Sequence, residues 1–177
     1  MLPNVKTAAQ TVPFSTKFFP QHILLLSCGE NFMPMGYWTV ISKDPFRFLI
    51  CMQVGNYTLK LVRELKEVAL HFMPWEEREW IVDAGHLSGE ITDKAEKLGR
   101  TLLPAEKLKH TRLVEGADNI FECVVAEELE GLSGTFAIFI LDVVHVHGKV
   151  APAKRRPIFF QSVKDFATVG ETWKSAK

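Results

Sequence analysis

The sequence carries no excess of either charge: Lys+Arg and Asp+Glu both number 21. Nucleic-acid binders ordinarily show a basic excess or a basic stripe, so the composition argues against that class. The one basic cluster, Lys154-Arg155-Arg156 beside Pro157, reads as a solvated turn. Cysteine is scarce and odd in number. Cys28, Cys51 and Cys123 are widely spaced and form no disulfide framework; they read as buried reduced thiols of a cytosolic protein. No apolar run reaches the ~18 residues that a membrane span needs, and the first residues lack a basic region followed by an apolar one. Internal repeats, low-complexity segments and a domain linker are also missing. These absences leave a soluble, cytoplasmic, single-domain protein, with neither nucleic acid nor membrane as partner.

What is present is apolar and patterned. Hydrophobic residues make up 47% of the chain, enough for a core at this length. Residues 1–21, punctuated by Pro3, Pro13 and Pro20, read as an arm with a short strand near Val12–Phe14. Its Phe14, Phe18 and Phe19 are too apolar for a free tail and are expected to cover the domain or a partner subunit. The domain proper spans 22–160, and 161–177 is a tail, expected to be helical from Ser162. Within the domain, His22–Ser27 is a first strand, closed by a Cys-Gly-Glu-Asn turn. Met33–Ile41 is an extended aromatic run, Lys43-Asp44-Pro45 a turn, and Phe46–Val54 a second strand. Helices are expected over Tyr57–Lys66, Trp75–Ala84 and Thr92–Leu98, the last stopped by Gly99. Glu67–Met73, Asn119–Leu129 and Thr135–Val146 are strands, Leu132-Ser133-Gly134 turns the last two, Leu102–Lys109 is connecting chain, and Pro157–Phe160 is one more short strand. Consecutive, turn-connected strands with helices between them favour an antiparallel barrel over a parallel sheet.

Two blocks carry a resemblance. The first holds Asn31, Met33, Pro34, Gly36 and Tyr37, then Asp44, Pro45 and Phe46, then Asn56, Tyr57 and Thr58. The second holds Gly85-His86-Leu87-Ser88-Gly89-Glu90, Asp93-Lys94-Ala95, Leu98, Leu103-Pro104, Ala105 and Lys107. In this order they resemble the flavin reductase-like family of FMN-binding split β-barrels, over roughly residues 20–148. The resemblance implies a mainly β, antiparallel Greek-key split barrel with peripheral helices. It implies FMN (or FAD) as cofactor, NAD(P)H as reductant, and a homodimer with the flavin at its interface, passing electrons to an unknown acceptor. The cofactor-binding positions it implies are Met33, Pro34, Met35, Gly36, Tyr37, Trp38, Cys51, Met52, Asn56, Tyr57, Thr58, Gly85, His86, Ser88, Gly89 and Lys94.

A helix N-terminus presents unbonded N–H groups and a positive dipole end to a phosphate. Asn56-Tyr57-Thr58 stand at such a start, although Asn56 or Thr58 could simply cap the helix. Ser88 and Gly89 offer a second cradle with Lys94 as its charge; the plainer reading is a helix-entry turn and a solvated lysine. Alternation puts Tyr37 and Trp38 on opposite faces, Tyr37 toward a pocket and Trp38 toward the core. Two departures stand out. The family usually has arginine where Asn56 and Glu90 stand, so one charge is lost and the other reversed at the phosphate end. His145 and His147 share a strand face, but two histidines without further ligands read as ordinary barrel residues and not as a metal site. No acid or base is demanded by flavin chemistry, so no catalytic residue is assigned. Two functions follow: an NAD(P)H-dependent flavin oxidoreductase, or a non-catalytic flavin- or small-ligand-binding barrel with a weakened phosphate site.

Overall fold

A computed structural model describes residues 14–15, 18–130, 134–148, 156–162 and 165–170. Its strands are β1 (Gln21–Cys28), β2 (Asn31–Met35), β3 (Trp38–Lys43), β4 (Phe46–Gln53), β5 (Glu67–Phe72), β6 (Leu102–Pro104), β7 (Arg112–Val114), β8 (Asn119–Leu129), β9 (Phe136–Gly148), β10 (Ile158–Ser162) and β11 (Asp165–Ala167). Helices α1 (Tyr57–Leu65), α2 (Arg78–His86) and α3 (Lys94–Leu98) sit between them, and a 3₁₀ turn at Trp75–Glu77 leads into α2. The main sheet runs β11-β10-β1-β5-β8-β9-β4-β3, with β2 paired to β1 and β6-β7 as a separate ribbon. Every strand pair is antiparallel. The non-sequential order and this pairing are those of the expected split barrel.

Strand alternation builds two large cores, and a smaller cluster gathers Ala69, Leu108, Leu113 and Ile120. Leu24 and Leu26 of β1 face inward with Phe48, Ile50 and Met52 of β4, Leu70 of β5, and Phe139 and Leu141 of β9. Leu25, one residue out of phase, packs outward with Phe32, Trp80, Ile81, Ala84 and Ile158 beneath α2. β1 is therefore buried on both faces, which explains its unbroken leucine run. Edge-on rings of Trp38, Phe72, Phe121 and Phe48 cap one end of the inner core, at centroid distances of 5.1 to 6.1 Å. The Trp38 indole N–H donates to His22 O at 2.8 Å, tying β3 to the start of β1 across the seam.

Some expectations are corrected. The run Met33–Ile41 is two strands, not one. The chain leaves β1 after Met35, turns through Gly36-Tyr37, and joins β4 at Trp38. Leu102–Lys109 begins with a strand that pairs Leu102 with Val114 and Pro104 with Arg112. Among the described residues the tail after Ser162 holds a strand in place of the expected helix: Asp165–Ala167 pairs back on β10. Val12 and Pro13 of the expected arm strand, Leu132 and Ser133 of the expected turn, and Lys154 and Arg155 lie outside the described residues. Cys28 and Cys123 are buried thiols and Cys51 is half-buried, all three unbridged. No helix among the described residues is long and apolar enough to cross a membrane.

Candidate functional site

A cleft of about 340 Å³ opens where three separated segments meet: β2, the start of α1, and the loop that follows α2. Nine of the sixteen expected residues line it: Met33 and Pro34, then Asn56, Tyr57 and Thr58, then Gly85, Ser88, Gly89 and Lys94. Helix α1 starts there because Asn56 holds extended backbone and its Oδ1 accepts the Thr58 N–H at 2.9 Å, an N-cap. The Asn56 amide also reaches Met33 Sδ at 3.4 Å. Capping consumes the Asn56 oxygen and the Thr58 N–H. The first residues of α1, Tyr57 and Thr58, line the cleft, so the positive end of the helix dipole borders it.

Asn31 is the residue that sequence reasoning passed over. It is 8% exposed, and its Nδ2 donates to Thr58 Oγ1 at 2.8 Å while its Oδ1 has no partner. Such an atom ordinarily costs 1–3 kcal/mol, so a buried orphan beside a cleft points to a group that completes it. Gly89 lies against this amide. A Cβ placed on Gly89 would fall well inside contact distance of Asn31 Oδ1 and Cγ, so only glycine allows the approach. Asn31 stood in the family block as a matching letter; its role needed the distant Gly89 and Thr58.

Lys94 is neither solvated nor offered outward. It is buried, and its Nζ donates to Phe32 O at 2.8 Å and Ala84 O at 2.9 Å, tying α3 to β2 and α2. Burial lowers its pKa to about 8. Glu90 turns away from the cleft: its Oε1 meets Lys60 Nζ at 2.7 Å, while its N–H donates to Ser88 Oγ at 3.3 Å. The expected repulsion of a phosphate by Glu90 is thus masked by Lys60. The Ser88 hydroxyl hydrogen is left for another acceptor.

The remaining expected residues fall elsewhere. Gly36, Tyr37, Trp38 and Cys51 line a second, mostly apolar hollow with Phe14, Phe19 and His22. Tyr37 is exposed there, edge-on to Phe14 and Phe136 at 6.2 and 5.3 Å. Trp38 also borders this hollow while its ring packs on Phe48 and Phe72, so the two neighbours share a hollow despite the alternation. The break at Gly36-Tyr37 is the reason. Met35 and Met52 are core, 3% and 1% exposed, and cannot touch a ligand. On β4 the inward positions are Phe48, Ile50 and Met52, which leaves Cys51 on the outer face. His86 is exposed and borders a third hollow with Ile81, Ile158 and Phe166. Residues 33–38 therefore run from the polar cleft to the apolar hollow, and the expected residues divide among three hollows and the core.

This arrangement of a split barrel with a helix-start cleft has relatives. A family model described as flavin reductase like domain matches residues 16–166. The chain belongs to the flavin reductase-like family. It is 30% identical over 134 residues to an uncharacterized protein of Archaeoglobus fulgidus, covering 73% of this chain and 74% of that one. Among solved structures it is similar to an FMN-binding protein from Thermus thermophilus, with TM-score 0.81, 17% identity, and 98% and 100% of the two chains covered. It is also similar to a flavoredoxin from Methanosarcina acetivorans, with TM-score 0.79, 19% identity, and 95% and 96% covered. A Streptomyces globisporus NADH:FAD oxidoreductase aligns with TM-score 0.75, 19% identity, and 89% and 90% covered.

Proposed function

We propose that this protein binds FMN and acts as a cytoplasmic NAD(P)H:flavin oxidoreductase. The observation that carries the reading is the unpartnered Asn31 amide oxygen, buried against Gly89 and tied through its Nδ2 to Thr58, two residues that line the polar cleft. The residues fit the group. Tyr57 N–H, the Ser88 hydroxyl and the helix dipole would hold a phosphate without a formal cation, and Asn31 would meet a hydroxyl donor of the ribityl chain. Pro34, Gly36 and Tyr37 would border the ring system and exclude water from it. FMN, when bound, supplies hydride acceptance; the chain supplies position and a dry face. Similar proteins are described as FMN-binding or as an NADH:FAD oxidoreductase, which supports a flavin and leaves FMN against FAD to a titration.

The same proposal includes a homodimer, which exposed apolar side chains support. Phe14, Phe18, Phe19, Tyr37, Val40, Ile41, Val144 and Val146 are large, apolar and 37% to 61% exposed. Phe14 packs edge-on with Phe18, Phe19 and Tyr37, and an exposed aromatic group of this kind on a small domain supports an interface. A second copy placed there would close the apolar hollow at Tyr37, giving a flavin ring its second wall.

A second reading rests on the absence of arginine from the cleft lining. Without that charge the protein would be a binding barrel that carries a flavin or a related small ligand and takes no electrons from NAD(P)H. One anaerobic experiment separates the two. FMN, FAD and riboflavin are titrated into the purified protein, then NADH or NADPH is added to the saturated complex. The enzyme reading expects saturable FMN binding and bleaching of the bound flavin faster than of flavin free in buffer. Binding without accelerated bleaching supports the carrier. No binding of any flavin overturns the enzyme reading and the flavin-carrier reading, and leaves a barrel for another small ligand.

A further inference from the structure

The strand β9 and the loop after β6 present a cluster that the flavin reading does not use. His145 and His147 project from one face of β9, and the loop after β6 brings Glu106 against both. His145 Nε2 lies 3.3 Å from Glu106 Oε2, and His147 Nδ1 lies 3.8 Å from Glu106 Oε1. One ligand atom from each of the three residues lies within 4.8 Å of the other two. Sequence spacing offered two histidines; the fold adds the carboxylate, 40 residues away.

The cluster is also supported from behind. Glu122 of β8 is fully buried and sits opposite His145 in the β8-β9 register. Its Oε1 meets His147 Nε2 at 2.5 Å and accepts the Glu106 N–H at 2.8 Å; its Oε2 accepts the N–H groups of Lys107 and Leu108 at 2.7 and 3.1 Å. A buried carboxylate on Nε2 holds the proton there. That fixes the His147 tautomer with the Nδ1 lone pair outward, toward His145 and Glu106. Carboxylate–imidazole pairs of this kind are the usual support of a metal-ligating histidine. The same carboxylate pins the backbone of Glu106, so one buried group positions two of the three ligands.

We propose that His145 Nε2, His147 Nδ1 and the Glu106 carboxylate form a site for a first-row divalent cation of the Zn²⁺ class, with Glu122 as its positioning residue. Two imidazoles and one carboxylate are the donor set such ions take, the remaining positions going to water. Ligand atoms at ~2.0–2.1 Å from Zn²⁺ stand about 3.3 Å apart in a tetrahedron. The His145–Glu106 distance already matches, and the Glu106 side chain, 60% exposed, is free to rotate and shorten the other. The histidine side chains are 29% and 25% exposed, so an ion reaches them from solvent. Once bound, the ion would clasp the 105–109 loop onto β9. The flavin reading and this site share no residue and stand or fall separately.

The test is calorimetric titration of ZnCl₂ into the EDTA-treated and dialysed full chain, repeated on variants. One equivalent per chain is expected, with a rise in Tm on saturation. Glu106→Gln changes an exposed side chain and preserves folding; it and His145→Ala should each weaken Zn²⁺ binding at least about tenfold and abolish the Tm rise. Glu122→Gln keeps an acceptor for the loop and removes the charge behind His147, and should cost about 10–100-fold. His110→Ala, on the exposed end of the same loop, should bind as wild type does. No stoichiometric binding, or binding that Glu106→Gln and His145→Ala leave unchanged, would overturn the site. Unchanged affinity in folded Glu122→Gln would overturn the positioning role.

Discussion

Two polar regions of this barrel are built on opposite terms. Around Glu67, His71 and Glu122, every polar atom of three buried titratable side chains is used. Glu67 accepts the N–H groups of Lys109, His110 and Thr111 at 2.6 to 3.0 Å. His71 Nδ1–H donates to Leu25 O at 3.1 Å, and its Nε2 accepts the Val114 N–H at 2.9 Å. The cleft at α1 holds no such saturation. Beside its lining residues Thr58 and Gly89, the buried Asn31 amide oxygen has no partner. Buried polar groups are held to full pairing by desolvation. A saturated network therefore reports architecture, and an unsaturated one reports where something else is to bind.

The largest effect is expected at Glu67. Glu67→Ala strips an acceptor from three backbone N–H groups, each costing on the order of 1–3 kcal/mol when left buried and unpaired. Denaturant unfolding should show a loss of ~3 kcal/mol or more, or no folded protein at all. Glu67→Gln keeps part of the acceptor set and should lose less. A loss under ~1 kcal/mol for Glu67→Ala would mean that the loop rearranges freely and that the network is not architectural.

His71 comes next, through pH. Burial lowers its pKa to about 4. The unfolded chain binds a proton near pH 6.5 that the folded chain refuses, so the contribution is present above ~6.5 and is lost as pH falls toward ~4. The full span is about 3 kcal/mol. Glu67 and Glu122 act lower down. Burial raises each, but the N–H groups on their oxygens, and His147 in the case of Glu122, more than offset it, and both end below the ordinary carboxylate value. Their stabilisation is present above ~4.5 and is lost only below it. Unfolding free energy measured from pH 7.5 to 4.5 should therefore fall for wild type relative to His71→Gln, the gap closing as pH drops. A constant gap would assign the acid sensitivity elsewhere.

Gly89→Ala tests the open region with a single methyl. Its Cβ meets the Asn31 amide, which is short, buried and held by Thr58. Overpacking of this sort costs ~1–3 kcal/mol. Thermal stability should drop modestly while FMN binding falls by more than tenfold, because the amide is pushed off its hydrogen bond and into the cleft. Equal binding by the folded variant would remove Asn31 and Gly89 from the site.

The same contrast explains what was legible. Period-two runs carry the strands, and Asn56, Gly99 and Pro74 mark element ends because capping and backbone restriction are local. The split of Met33–Ile41 was not legible: every residue in it suits a strand, and only the change of neighbour from β1 to β4 breaks it. The three-residue strands β6 and β11 are too short for periodicity to register. Glu67, His71 and Glu122 look like ordinary strand letters, since their partners are distant: the 106–111 loop for Glu67 and Glu122, and Leu25 of β1 and Val114 of β7 for His71. Lys94 failed for the opposite reason. A lysine beside a presumed phosphate loop suggests charge, yet its ammonium is spent on two carbonyls.

The smallest expected change is the sharpest for the proposed ligand. Asn56 and Glu90 stand where arginines are usual, but they are not equivalent in this fold. Asn56 caps α1, so Asn56→Arg loses the cap, at about 1 kcal/mol, along with whatever it gains. Glu90 makes one exposed ion pair with Lys60 and one backbone bond to Ser88. Glu90→Arg keeps the backbone bond, releases Lys60, and sets two cations beside Ser88 and Gly89. A charged hydrogen bond to a phosphate should then tighten FMN by up to about tenfold, less at the salt concentrations that screen an exposed site. Riboflavin has no phosphate and should gain nothing. The measurement is the ratio of FMN to riboflavin affinity in the two proteins, at low and at physiological salt. A ratio that rises and shrinks again with salt places the phosphate at this cleft. A ratio that stays constant while both affinities change means the variant altered the barrel and not the anion site. The orphaned Asn31 oxygen would then have to be completed by a ligand without a phosphate.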